Sequence, residues 1–329
     1  MRDFSKIIGH EEIIEYFQNA IKTDTVSHAY ILNGEDKAGK MLLAETFAAA
    51  LQCERQGVNP CGECRFCKQA EGRNQPDIIY VAHNKPNTIS VDDIRAQINN
   101  DIILKPYAGR YKIYIMDEAE KMTAEAQNAL LKTMEEPPAY AVILLLTTNA
   151  DGFLPTVLSR CVRLDLKAVP DEKIKRFLME EQGTPDYQAE LCAAFAQGNV
   201  GKAVSLASSE DFNAMRHSVI SLIKSLDDIE VYDLMKEVKK LSEHKLEIND
   251  YFDLMTVWYR DVLLYKATAD ANKLIFRDEI YTIKKAASES SYGGIETILL
   301  AIEKAKSRLR ANVNFELLME LLLLTIKEN

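Results

Sequence analysis

The chain has 329 residues, of which 47% are hydrophobic and 27% charged, a globular balance that excludes disorder over most of its length. At roughly 150 residues per domain, that length predicts two or three domains. Lys and Arg total 40 against 50 Asp and Glu, and the net charge of −10 argues against duplex DNA as a sole partner, because phosphate neutralisation supplies most DNA affinity.

The longest aliphatic run, Ala141 to Leu146, falls far short of the roughly 20 residues that span a bilayer. The N-terminus, Met1-Arg2-Asp3, carries an acid where a secretory leader is basic. These features predict a cytoplasmic protein with no membrane partner.

The first half alternates helix-period stretches with short apolar runs. Helices are expected over Glu11–Lys22, Lys40–Leu51, Val91–Ile103 and Thr123–Glu136, and strands over Ala29–Leu32, Ile78–Val81, Lys112–Met116, Val142–Thr147 and Val162–Leu166. Apolar runs without alternation fit strands covered on both faces, so the expected fold class is α/β with a parallel sheet. Thr123 reads as a helix N-cap, and Pro137-Pro138 stops that helix. After Leu166 the strand signals end. Amphipathic helices follow, with breaks at Gly198-Asn199-Val200-Gly201, near Asp227-Asp228 and from Ser290 to Gly294, and with boundaries expected near 167 and 209. The leucine-rich run Phe315–Ile326 is expected to pack against other helices.

Gly34-Glu35-Asp36-Lys37-Ala38-Gly39-Lys40 follows a strand and opens a helix, the setting of a phosphate-binding loop. Its backbone amides and helix N-terminus would cradle phosphate, with Lys40 reaching the outer phosphates. Met41 stands where such a loop places Ser or Thr, and a thioether cannot offer Mg²⁺ a hard oxygen. An ordinary strand-to-helix turn is the plain alternative. Asp117 and Glu118 end the strand Lys112–Met116, where a Mg²⁺-binding acid and a water-activating base would sit. Asn149 ends the next strand, in place to orient water or sense a γ-phosphate. Three such residues in order make nucleotide-binding ancestry firm.

Cys53, Cys61, Cys64 and Cys67 offer four thiolates, a closed set suited to structural zinc. An iron–sulfur cluster and reduced thiols without metal are the alternatives. Arg160, in Ser159-Arg160-Cys161, is either a solvated surface residue or an arginine finger for ATP on a neighbouring subunit. Cys161 is expected to be a packing residue, and Lys236, Lys239, Lys240 and Lys245 a solvated helix face.

Lys105-Pro106-Tyr107, the run from Tyr111 to Met122, Asn128-Ala129-Leu130-Leu131-Lys132, Glu135-Glu136-Pro137-Pro138 and Leu158-Ser159-Arg160-Cys161 closely resemble the bacterial replicative clamp-loader family of AAA+ proteins. His28-Ala29-Tyr30, the four-cysteine insertion, Trp258-Tyr259-Arg260-Asp261 and Asn312-Val313-Asn314 extend the resemblance over essentially the whole chain.

The resemblance implies an AAA+ P-loop core over 1–166 with a zinc knuckle at about 53–72, a helical lid over 167–208 and an all-α collar over 209–329. It implies a subunit that helps load a sliding clamp onto primed DNA in replication, within a pentamer that also holds gamma/tau-type and delta-type subunits. It places Arg160 in trans to a neighbour's ATP. Gly198-Asn199-Val200-Gly201-Lys202-Ala203 resembles the lid's nucleotide-sensing motif, with Lys202 where motor subunits carry arginine. Lys202 and Met41 both count against hydrolysis by this chain, while Gly34, Gly39 and Lys40 retain a weak ATP–Mg²⁺ site. Polymerase chemistry belongs to the holoenzyme such a loader serves, since nothing here suggests a two-metal nucleotidyl-transfer centre. The rival readings are an active gamma/tau-type ATPase motor and a zinc-knuckle nucleic-acid adaptor.

Overall fold

The computed structural model describes residues 2–83, 85–209, 211–226, 231–243, 248–310 and 313–329. Asp227-Asp228, Lys245 and Asn312, singled out above, lie outside these. The chain divides into two compact units, one of residues 1–177 and 198–202, the other of residues 178–197 and 203–329.

In the first unit, α1 (Glu11–Lys22) leads to β1 (Ala29–Asn33), α2 (Lys40–Gln52) and the short α3 (Arg65–Glu71). Then come β2 (Ile78–Val81), α4 (Val91–Ile94), β3 (Lys112–Met116), α5 (Ala124–Glu135), β4 (Ala141–Thr147), α6 (Pro155–Leu158) and β5 (Val162–Asp165). All pairings are parallel, in the order β2-β3-β4-β1-β5, and Ile31 sits opposite Leu145 across the centre.

Both faces of this sheet are buried. Ile113, Ile115, Leu144 and Leu146 face a core shared with Phe17, Leu43 and Phe47. Tyr114, Met116, Ile143 and Leu145 face the opposite core, with Ile94, Ile98 and Leu130. That two-sided burial is why the strands read as unbroken apolar runs. Phe17 and Phe47 stack at 4.0 Å between ring centroids, fixing α1 against α2. The order puts β1 between β4 and β5, so the loops after β1, β3 and β4 open at one sheet end, where α/β folds bind ligands.

Two expected strands, β2 and β3, match outright, and β1, β4 and β5 match to within a residue at one end. The helix expected over Val91–Ile103 instead stops at Ile94 and widens into a π-type turn over Arg95–Asn99. Its continuing apolar spacing is real, since Ile98 and Ile102 are buried, but tertiary bonds take over the polar residues. Asn99 donates to the Ala129 carbonyl at 2.9 Å, and Asp101 accepts from Tyr114 Oη at 2.8 Å.

The remainder of the chain is helical: α7 (Asp171–Gln182), α8 (Asp186–Ala196), α9 (Val200–Ala207), α10 (Asp211–Leu226), α11 (Val231–Glu243), α12 (Ile248–Thr268), α13 (Ile280–Glu289), α14 (Tyr292–Arg310) and α15 (Phe315–Lys327). In the second unit, α12 is the central helix and packs on α13, α14 and α10. Its Trp258 meets Phe276 edge-on at 5.6 Å. The break expected from Ser290 to Gly294 is shorter, because Ser291 Oγ accepts the Gly294 N–H at 2.9 Å and α14 starts at Tyr292. α15 buries Phe315, Leu318, Met319, Leu322, Leu323 and Ile326, as its leucine content suggested, but leaves Leu317 and Leu321 exposed. Among the described residues no helix is long and apolar enough to cross a membrane.

Candidate functional site

The loop after β1 turns through Gly39, whose φ of 103° is natural only to glycine, and hands the chain to α2. Lys40 is buried, and its Nζ donates to the carbonyls of Gly34 and Glu35, each at 2.6 Å. Burial pulls its pKa down, while Asp36, Asp117, Glu120 and Glu35 act the other way. Asp117 therefore lies close enough to feel the lysine charge. Met41, half-buried, packs on the core beneath the loop.

The rest of the loop is engaged from outside. Asn199 Nδ2 donates to the Asp36 carbonyl at 2.7 Å, and the His10 ring Nε2 pairs with the Ala38 carbonyl at 3.1 Å. A Cβ on Gly201 would lie 2.3 Å from the Lys37 carbonyl oxygen, so only glycine fits there. Asn199 Oδ1 also accepts the Lys202 N–H at 3.0 Å, fixing the first turn of α9. Lys202 is thus brought beside the loop by its own segment. The sequence placed Asn199 in a sensing-like motif but did not reveal its bond to the loop, and His10 was not singled out; both contacts join distant segments.

Glu118 adopts a left-handed backbone (φ 50°), and its carboxylate pairs with Lys121 at 2.7 Å and His83 at 3.3 Å. Both partners occupy the group that the sequence proposed as a base. Glu120, overlooked in the sequence, accepts from Thr148 Oγ1 at 2.7 Å. Burial alone would raise its pKa, but hydrogen bonds led by Thr148 bring it below the ordinary value. Asn149 accepts the Asp151 N–H at 3.1 Å, so its oxygen shapes the turn after β4.

Arg160 follows α6. Its Nη2 donates to Glu135 Oε1 at 2.8 Å, and its Nη1 donates to the Thr156 carbonyl at 3.0 Å and Ser159 Oγ at 3.3 Å. The side chain stays one-third exposed. Burial lifts the Cys161 thiol to about 12, which suits a packing residue and not a nucleophile.

The sulfurs of Cys53, Cys61, Cys64 and Cys67 lie within 4.8 Å of one another, and none is in a disulfide. Tetrahedral zinc, with Zn–S near 2.3 Å, requires sulfurs roughly 3.8 Å apart; Cys61 and Cys67 are 3.9 Å apart. The N–H groups of Cys61, Cys64 and Cys67 point at the sulfurs of Cys53, Cys61 and Cys64 at 3.4–3.5 Å. Backbone donors, Cys64 first, lower Cys61 to about 6, whereas burial pushes Cys53 and Cys67 up. A cation would offset that burial and hold all four as thiolates, so the residues fit zinc. The helix α3, not expected from sequence, follows Cys64, whose sulfur caps it by accepting the Cys67 N–H. The module is tied to α2 by Glu45, buried at 5% exposure, which accepts from Arg73 at 2.8 Å and Tyr80 Oη at 3.0 Å and also pairs with Arg2.

Two family models match the chain: "DNA polymerase III, delta subunit" over residues 9–170, and the same subunit's C-terminal model over residues 210–328. The chain is 31% identical over 320 residues to the Bacillus subtilis DNA polymerase III subunit delta', covering 96% of this chain and 95% of that protein. It is 32% identical over 285 residues to the B. subtilis subunit tau, but spans only half of that longer protein. A Thermotoga maritima gamma subunit-related structure aligns over 96% of this chain and 98% of its own, with 21% identity and a TM-score of 0.49. Near-complete coverage of the delta' relative, and matching models for both halves, place this chain in the DNA polymerase III delta-prime family.

Proposed function

We propose that this chain serves in a clamp loader as a stator: a subunit that keeps its nucleotide-fold architecture while supplying a catalytic arginine to a neighbour. The carrying observation is a contrast within one unit. The phosphate-loop lysine is turned onto its own loop, beside Met41, whereas the Arg160 guanidinium is held at the surface.

A guanidinium supplied in trans stabilises charge on the transferring phosphoryl group and is worth ~10³–10⁵ in turnover in comparable systems. Arg160 plays that part toward ATP on a gamma/tau-type motor subunit. Gly34, Gly39, Lys40, Asp117, Glu118, Asn149 and Lys202 form this chain's own weak nucleotide site, and Met41 deprives Mg²⁺ of an oxygen ligand. ATP, where it binds, supplies an anion that draws Lys40 off the Gly34 and Glu35 carbonyls. Zinc at Cys53, Cys61, Cys64 and Cys67 is structural.

Residues 167–208 act as a lid and 209–329 as a collar that joins the delta and gamma/tau subunits. The assembled loader places the sliding clamp on primed DNA during replication. The testing experiment reconstitutes the loader with Arg160→Ala and measures ATP turnover on clamp and primed DNA. A normally assembled loader should lose turnover at one motor site; unchanged single-turnover rates would leave Arg160 a structural residue.

A further inference from the structure

Arg160 is restrained by two kinds of partner. Thr156 and Ser159 belong to its own short helix and the residue after it, so they fix the side chain only relative to α6. Glu135 comes from the last turn of α5, a separate element. The two helices are joined at a second point as well. Gln127, 3% exposed on α5, accepts the Leu154 N–H at 2.7 Å and donates to the Gly152 carbonyl at 3.2 Å. Gln127 therefore anchors the chain entering α6, and Glu135 anchors the guanidinium leaving it.

A guanidinium carries five N–H donors in a fixed plane. Three are accounted for by Thr156, Ser159 and Glu135, which leaves the Nε–H and the second Nη2–H without an acceptor among the described residues. Two oxygens of a phosphoryl group are the acceptor pair that such a fork takes. The Glu135 carboxylate is itself half-exposed, so solvent screens its charge and the arginine keeps most of its field.

We propose that Glu135 is the positioning residue of the finger: it holds one end of the Arg160 guanidinium so that its remaining donors meet phosphoryl oxygens supplied by a neighbouring subunit. This rests on the reading of Arg160 as a trans-acting finger. Without Glu135 the plane of the guanidinium is free to turn about its neutral anchors. The cost then falls on the hydrolytic step and not on ATP affinity.

The test uses the complete loader on clamp and primed DNA, with single-turnover hydrolysis and ATP affinity measured for Glu135→Ala, Glu135→Gln, Arg160→Ala and the Glu135→Ala/Arg160→Ala pair. Assembly of each variant is checked by size-exclusion chromatography. Glu135→Ala should slow hydrolysis about tenfold while ATP affinity stays within about twofold. Glu135→Gln, which keeps an acceptor oxygen, should recover most of that loss. In the Arg160→Ala background Glu135→Ala should add nothing. An equal loss in that background, or unchanged or faster hydrolysis from Glu135→Ala alone, would overturn the proposal. Arg160→Ala without effect would instead remove the finger reading beneath it, an outcome visible separately. Because Glu135 is exposed, the fold is expected to survive; should Glu135→Ala fail to assemble, Glu135→Gln and Glu135→Lys, which repels the guanidinium, carry the same cycle.

Discussion

The Lys40 ammonium donates at 2.6 Å to the carbonyl of Gly34, the residue that opens the loop whose phosphate it would otherwise meet. Glu35 shares the same ammonium, and Asn199 holds the next carbonyl at Asp36. On the proposed reading a nucleotide would have to compete with these bonds, and Met41 offers no oxygen to the metal that would help it do so.

Replacing Met41 with Thr should therefore strengthen Mg²⁺-dependent nucleotide binding, by about tenfold, because the hydroxyl restores a hard oxygen. A fluorescent ATP analogue titrated with and without Mg²⁺ reads this directly. An equal gain without Mg²⁺ would mean that the smaller side chain, not the hydroxyl, opened the pocket.

Metal analysis should find about one zinc per chain, and Cys64→Ser or a strong chelator should remove it and lower the melting temperature. Burial raises the Cys53 and Cys67 pKa values, so protons compete with metal at these sulfurs even near neutrality. Zinc affinity should accordingly climb with pH through the neutral range. An iron–sulfur absorption band would contradict the assignment.

Asp261 on α12 is fully buried, accepts the N–H groups of Ile275 and Phe276 at 2.7 and 2.8 Å, and leaves Oδ1 without a hydrogen bond. Burial raises its pKa above the ordinary 3.8. A raised acid holds its proton more tightly folded than unfolded, so its benefit is complete below the unfolded value and is lost as pH rises through the folded one. Asp261→Asn keeps an acceptor without the charge. Its melting temperature relative to the parent should rise as pH climbs above the ordinary carboxylate value, whereas Asp261→Ala should cost ~2–3 kcal/mol by orphaning both N–H groups. A pH-independent difference would show that the carboxyl is not the source.

Asp77, 1% exposed, accepts the N–H groups of Tyr107, Ala108 and Gly109 at 2.5, 2.9 and 2.7 Å. Asp77→Ala should destabilise the chain by about 3 kcal/mol. Amide exchange at those three residues should accelerate well beyond that at Ile113, in the adjoining strand.

What the sequence made legible follows from range. The strands Lys112–Met116 and Ala141–Thr147 were readable because burial on both faces writes an unbroken apolar run. The four cysteines were readable because their ligand spacing is local. The seven-residue α3 was not, since its start depends on a sulfur cap at Cys64. The end of α4 was hidden because Asn99 and Asp101 find partners on α5 and β3, which helical periodicity does not reveal. The contacts of Asn199, His10, Glu45 and Glu135 were hidden for the same reason: each acts on a residue far away in sequence.

The most direct test compares two variants in the reconstituted loader, Lys40→Ala and Arg160→Ala, by single-turnover ATP hydrolysis on clamp and primed DNA. If the chain is a stator, Lys40→Ala leaves hydrolysis nearly unchanged while Arg160→Ala slows it by a factor on the order of 10³ at the neighbouring site. The reverse pattern, with loss from Lys40→Ala and none from Arg160→Ala, would make this chain a motor that burns its own ATP and would contradict the account.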